Sequence, residues 1–438
     1  GHSRTSPSPM SNPTQCRSGV RDGGRLHNFM QGFWDTVAHD LEKPTADHED
    51  AMSYRSPRLL LWDMLRRISG TVLASIHLWC TLLRLTVLIS TVTLLVVFCI
   101  RDPVALRVEK FQKISVFLNA FVGLLLGFFL SSSIQRWYRC VDGFLEVLDA
   151  VRCLQMQLCT LGASADRVAL CVRYGFLSAW LLNVHLFAKH AEKGTLRMED
   201  AWALLAVEDI ESDDVENARA EELSERYGIR RHTPFTKLTK EEILQLKQCE
   251  DPSGCILMWV ASLVGRMSQD RSIPPMASPT YGRIMNLVQL AHGGLRQIRA
   301  SIVVQAPYVY IHMLAVLVHV ANVVNAIGCG LTLGSSLSVL LVRGHTFDSH
   351  PDREAAASDV VHDMQDVVVN FFYTMVGPFL YQALLEIGFA IAQPFDYDLA
   401  RIPMSRLLAQ LARDLLDHQR MADHPPLWER PSFAPPQS

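Results

Sequence analysis

Four long apolar runs dominate the chain. The first extends from Val72 to Ile100, with His77 and Arg84 its only interruptions. The second, Ile114 to Ile134, carries no charge over 21 residues (114 to 134), close to the ~20 that a membrane-spanning helix needs. The third, Ile302 to Leu333, has polar insertions at His312, His319, Asn322 and Asn325. The fourth, Val367 to Leu385, is uncharged and contains Gly377-Pro378, where a helix kink is expected. A fifth run, Val168 to Ala188, includes Arg173, Asn183 and His185. It reads as a buried helix of a soluble portion, with a membrane span as the alternative.

These runs divide the chain. Residues 1–55 form a disordered leader, and 56–135 an N-terminal helix with the first two spans. Residues 136–301 form a cytosolic helical region, and 302–393 the third and fourth spans. A C-terminal segment with a Pro-rich tail occupies 394–438. Within the middle region, helical patterns cover Val141–Leu158, Val168–His190, Glu199–Leu205, Lys240–Gln248, Cys255–Met267 and Tyr281–Ala300. The acidic stretch Glu208–Glu225 and the basic Arg230-Arg231-His232 read as solvated surface. The segment Gly334–Asp366 reads as a loop rich in acidic residues. Arginines cluster before the first and third spans and after the second and fourth, so the positive-inside rule puts both termini and the middle region on the cytosol-equivalent side.

Composition agrees. Of 438 residues, 49% are hydrophobic and 19% charged, against about a quarter charged in soluble domains. The net charge of −3 gives no case for nucleic acid. The ten cysteines are scattered without a CxxC pair and read as small buried hydrophobes. Nucleotide-binding, zinc-hydrolase and serine-hydrolase signatures are absent, so an enzyme is not expected.

The second run carries the most specific pattern. At ~100° per residue, Lys113, Phe117, Ala120, Leu124, Phe128, Ser131 and Gln135 fall on one stripe. A basic end, an apolar and aromatic middle, and a hydroxyl-amide end suit an anion pore gated by dewetting. An ordinary lipid-facing or packed face is the plainer reading of the same stripe. Gly123 and Gly127 on the adjacent face form a GxxxG, a common device for close helix contact. Arg136-Trp137-Tyr138 at the end of the run fits either a pore vestibule or an interfacial anchor. His312 and His319 lie seven apart on one helical face, as metal ligands, a proton path or packed polar groups.

Several segments resemble the bestrophin family of pentameric anion channels. Arg58-Leu59-Leu60-Leu61-Trp62 is similar to the run preceding that family's first span. Leu126-Gly127-Phe128, with Arg136-Trp137-Tyr138 beginning nine residues after the glycine, resembles its pore-helix signature. Arg173-Tyr174, Pro307-Tyr308-Val309-Tyr310 and Gln393-Pro394-Phe395 resemble further family motifs, in the family's order. The resemblance covers roughly Arg58 to Asp398.

It implies an all-α membrane protein with four transmembrane helices and a cytosolic helical region, assembled as a homopentamer around one axial pore. The pore neck would fall on Ala120, Leu124 and Phe128, with Lys113, Ser131 and Gln135 at its mouths. Only Phe128 keeps the family's aromatic neck residue. A second, cytosolic constriction would come from Ile256 and Met258. Asp396 and Asp398 are the candidate calcium ligands; they replace a longer acidic run, and no other cofactor is expected. The permeant ions would be chloride and bicarbonate, and the bilayer a chloroplast, thylakoid or plasma membrane. Two rivals stay open: a proton-coupled transporter using His312, His319 and Glu386, and a non-conducting scaffold docking through Glu208–Glu225.

Overall fold

Hydroxyl-bearing residues in the first span show how an apolar helix satisfies itself without water. Thr86, Ser90 and Thr91 each donate to the carbonyl four residues earlier, at 2.8, 2.9 and 2.8 Å, so none needs a solvent partner. The Ser75 hydroxyl caps the helix by accepting from the Leu78 amide. The structure is a computed structural model and describes residues 32–42, 71–100, 108–190, 198–207, 214–227, 229, 233–274, 277–346, 353–395 and 400–424. Arg58–Trp62, Arg230–His232, Asp396 and Asp398 lie outside the described residues.

The helices in chain order are α1 (Phe33–Glu42), α2 (Ile76–Cys99), α3 (Val108–Thr160), α4 (Ala165–His190), α5 (Met198–Ala203), α6 (Asp214–Tyr227), α7 (Thr233–Thr236), α8 (Lys240–Lys247), α9 (Pro252–Gln269), α10 (Ser278–Val303), α11 (Tyr308–Thr346), α12 (Arg353–Ala392) and α13 (Met404–Asp423). Two short strands, β1 (Ala206–Val207) and β2 (Lys237–Leu238), pair in parallel.

The helices form two layers joined by α3. In the apolar layer α2, the first half of α3, α11 and the second half of α12 pack together. Small residues set the spacing there. A Cβ on Gly330 would stand 2.7 Å from Val92 Cβ, and one on Gly334 2.6 Å from Val96 Cβ. This Gly330-Gly334 pair brings α11 against α2. Gly123 and Gly127, the GxxxG visible in the sequence, meet nothing within 4 Å.

In the second layer α4 is the central post. Residues 171–182 are all buried, and Phe176 stacks on Phe235 at 4.1 Å. Helices α3, α9, α10 and α13 surround this core. The fifth apolar run is therefore a core helix: a lipid-facing helix leaves its side chains uncovered in the protomer, as α2 and α3 do. Gly143 of α3 and Gly294 of α10 let these two helices touch, since a Cβ on Gly294 would lie 2.5 Å from the Gly143 carbonyl oxygen.

Two helices run on past the ends of their apolar runs. Helix α3 runs unbroken through residue 136 for 53 residues, about 80 Å at 1.5 Å per residue, so one helix serves both layers. The expected loop over 334–366 is mostly helix: α11 continues to Thr346, and α12 begins at Arg353 and passes through Pro378. Charged residues on a helix mimic a loop in the sequence.

Candidate functional site

The apolar half of α3 has two faces. Val122, Leu126 and Phe129 are buried against Leu314, Val318 and Ala321 of α11 and Leu385 of α12. Phe129 also fills the notch at Gly388, where a Cβ would come within 2.6 Å of its ring. Every residue of the predicted stripe lies on the other face: Lys113, Phe117, Ala120, Leu124, Phe128, Ser131 and Gln135 are all exposed in the protomer. Leu124 is 57% and Phe128 62% exposed. From Lys113 to Gln135 the stripe is about 33 Å long at 1.5 Å per residue, close to the ~30 Å hydrocarbon thickness. A continuous apolar face of this size requires lipid or another subunit to cover it.

Polar pairs fix how α3 is turned. Asn325 of α11 donates through Nδ2 to Asn119 Oδ1 at 2.9 Å, and Asn119 Nδ2 faces Asn325 Oδ1 at 3.5 Å. Ser115 joins them, bonded to Asn325 and accepting from Asn119. One and a half turns further on, the Tyr310 hydroxyl donates to the Leu125 carbonyl at 3.0 Å. Asn119 precedes Ala120 and Leu125 follows Leu124, so the two anchors bracket the first two positions expected from the sequence to form a neck. Asn325 was visible as a polar insertion; its partners were not, because pairing across 206 residues leaves no local signature.

The charge pattern favours anions. No acidic residue occurs between Lys113 and Gln135. Lys110 and Lys113 stand exposed at one end, and Arg139 is exposed just beyond the other. Trp137 acts as an anchor: its indole donates to the Ala400 carbonyl at 2.7 Å. Phe395, in the turn after α12, is buried against Phe144 at 6.2 Å.

The two residues of the expected second constriction separate. Met258 on α9 is 65% exposed, whereas Ile256 is fully buried in the second-layer core. Two residues apart on a helix is about 200° of rotation, so they point in nearly opposite directions. A side chain sealed in the protomer core cannot meet its counterparts in other subunits, and Ile256 drops out of that assignment.

In the second layer, Asp251 caps α9 by accepting from the Gly254 amide at 2.8 Å. The Arg299 guanidinium of α10 bonds both carboxylate oxygens and donates to Ser253 Oγ at 2.7 Å. Burial alone would raise the Asp251 carboxyl, but Arg299, Gly254 and Ser253 together hold it below the ordinary range. On α4, Arg173 approaches Glu242 at 3.5 Å, and the Tyr174 hydroxyl bonds the same carboxylate. Burial first, then the Glu242 charge, pushes the Tyr174 phenol up.

His312 and His319 are exposed on the outer surface of α11. Glu386 instead meets His77 of α2, at 3.2 Å. Among the described residues no group of three or more His, Cys, Asp or Glu is placed to hold a metal.

No protein-family model matches the sequence, and no curated protein does. Solved structures do. One variant of a bacterial bestrophin homologue from Klebsiella pneumoniae aligns at a TM-score of 0.52 and 15% identity, covering 78% of this chain and 98% of its own. A second variant of that homologue gives 0.52 and 16%, covering 78% and 99%. The fold is bestrophin-like. A further solved membrane protein aligns at 0.52 and 14%, covering 78% and 99%. Together with the apolar spans, these neighbours make the chain an integral membrane protein. The bestrophin-like fold carries the arrangement of helices; at this identity it carries no residue's role.

Proposed function

We propose that the chain is one subunit of a bestrophin-like channel that passively conducts small monovalent anions, chloride and bicarbonate among them. The observation that supports this most is the exposed α3 stripe: apolar through its middle, free of acidic residues, and with Lys110 and Lys113 at one end. In a homopentamer, five copies of α3 face one axis. Ala120, Leu124 and Phe128 form successive rings, with Lys113, Ser131 and Gln135 at the mouths. Met258 on α9 supplies a second ring.

An anion entering this path sheds part of its hydration shell in the neck, so weakly hydrated anions pass most easily. The positive edges of the Phe128 rings partly replace the lost water, and fivefold repetition multiplies each modest contribution. With Ala120 and Leu124 in place of aromatic rings, the neck is wider and less aromatic over its first two levels. Lys110 and Lys113 at one end raise the local anion concentration.

The test is a planar bilayer holding the purified protein under asymmetric KCl. The expected reversal potential lies near the chloride equilibrium potential. A reversal potential at the potassium value overturns the assignment.

A further inference from the structure

Beside the Gln135 end of the stripe lies a cavity of about 710 Å³ between α3, the end of α10, the start of α11 and the end of α12. Its lining changes character along the axis of α3. Phe129, Ile311 and Phe389 form one end; Arg136, Arg139 and Gln297 form the other. Phe129 and Arg136 are seven residues apart, about 10 Å, and Arg139 lies about 15 Å away at 1.5 Å per residue. That gradient runs where the apolar run of α3 gives way to arginine, on the scale of the acyl-to-headgroup boundary of a bilayer leaflet.

The polar end has unmet demand. No acidic residue lines the cavity, and neither arginine has a carboxylate partner among the described residues. The Arg136 Nε is buried without a hydrogen-bond acceptor, a state that buried donors rarely keep. Gln297 donates to the Arg139 carbonyl at 3.1 Å, which fixes the backbone from which that guanidinium projects. Two guanidinium forks beside an apolar wall suit an amphiphile with a phosphate head. A small inorganic anion leaves the Phe129–Ile311–Phe389 end unfilled, and a neutral lipid leaves the arginines uncompensated.

We propose that this cavity binds an anionic phospholipid, with its phosphate on Arg136 and Arg139 and its glycerol and upper acyl chains against Phe129, Ile311 and Phe389. The bound lipid would brace α3 from the side, its phosphate two to three turns beyond Phe128. The assignment does not depend on what the channel conducts.

The test uses the full-length protein in neutral detergent, with thermal midpoint and native mass spectrometry as readouts. The probes are dioleoylphosphatidylglycerol, dioleoylphosphatidylcholine and inorganic phosphate. Phosphatidylglycerol should bind on the order of tenfold more tightly than phosphatidylcholine and raise the midpoint, while phosphate alone has no effect. An Arg136→Gln/Arg139→Gln double variant should lose that preference, and the corresponding double lysine variant should keep most of it. Arg283→Gln, a surface charge removed on α10, should behave as the unaltered chain. Equal binding of the two lipids, or a preference that survives the glutamine variant, overturns the proposal. A midpoint shift reproduced by phosphate alone assigns the site to a soluble anion and overturns the lipid.

Discussion

Asn119 on α3 and Asn325 on α11 exchange side-chain hydrogen bonds inside the apolar layer, the shorter at 2.9 Å. Asn119 is half-buried on its helix beside Ala120, which faces outward, so this pair determines which side of α3 the stripe occupies. Truncating one partner leaves the other amide unsatisfied in a region with no water to replace it. Asn119→Ala and Asn325→Ala should each lower the thermal midpoint in detergent. The double variant should cost less than the sum, with a coupling of about 0.6 kcal/mol and at most about 1.7. Strict additivity would show that the pair does not act as a unit.

Two glycines, Gly294 on α10 and Gly127 on α3, should respond differently to alanine. At Gly294 the new methyl meets the Gly143 carbonyl oxygen at 2.5 Å and Val147 at 2.9 Å. The two helices must separate, at a cost of about 1–3 kcal/mol. At Gly127 nothing lies within 4 Å, so Gly127→Ala should leave the fold of the protomer intact. If Gly127 faces a neighbouring subunit, the change appears instead in the oligomer distribution on native mass spectrometry. A protomer unfolded by Gly127→Ala contradicts the exposure of that face.

The Asp251–Arg299 clamp carries a pH signature. The Asp251 carboxyl titrates below its ordinary value of 3.8, so its contribution to stability is complete above that value. It is lost as the pH falls through the lower, folded value. Asp251→Asn should therefore destabilise the protein at neutral pH and flatten the acid limb of its stability profile below about pH 4. Thermal midpoints across pH 2.5 to 7, roughly the range over which carboxylates titrate, would show this. An unchanged acid limb removes the clamp from the account.

The sequence reveals some of these features and conceals others for physical reasons. Helical periodicity alone picked out Lys113 through Gln135, because a face lacking protomer contacts keeps a clean pattern. The core helix α4 was legible through Arg173, Asn183 and His185, which a lipid-facing helix rarely carries. Continuity of α3 past Arg136 was not, since charge on a helix leaving the bilayer looks the same as charge in a loop. Nor was the choice between Gly123-Gly127 and Gly330-Gly334 as the packed pair: both have the same spacing, and only the partner Val92 and Val96 side chains distinguish them. Ile256 and Met258 diverge for a simpler reason, their near-opposite directions on one helix.

Neck size should set conduction. Leu124→Phe narrows the ring next to Phe128 and should reduce single-channel conductance, whereas Leu124→Ala should raise it or leave it unchanged. Because Leu124 is exposed and touches neither core cluster, both variants should fold with midpoints near that of the unaltered chain. Conductance that is identical in the two variants argues that the ion path lies elsewhere.

The claim that the exposed α3 stripe lines the ion path is tested most directly by cysteine accessibility during current recording. Phe128→Cys and Leu124→Cys should react with a charged methanethiosulfonate applied in solution, changing the current within seconds. Met313→Cys, exposed on the outer face of α11, should not change it. The unaltered chain supplies the baseline for native Cys80 and Cys99, which are also exposed. Current that changes at Phe128→Cys and Leu124→Cys but not at Met313→Cys is the predicted result. Unaffected current at both stripe positions, with labelling confirmed by mass, would contradict the account.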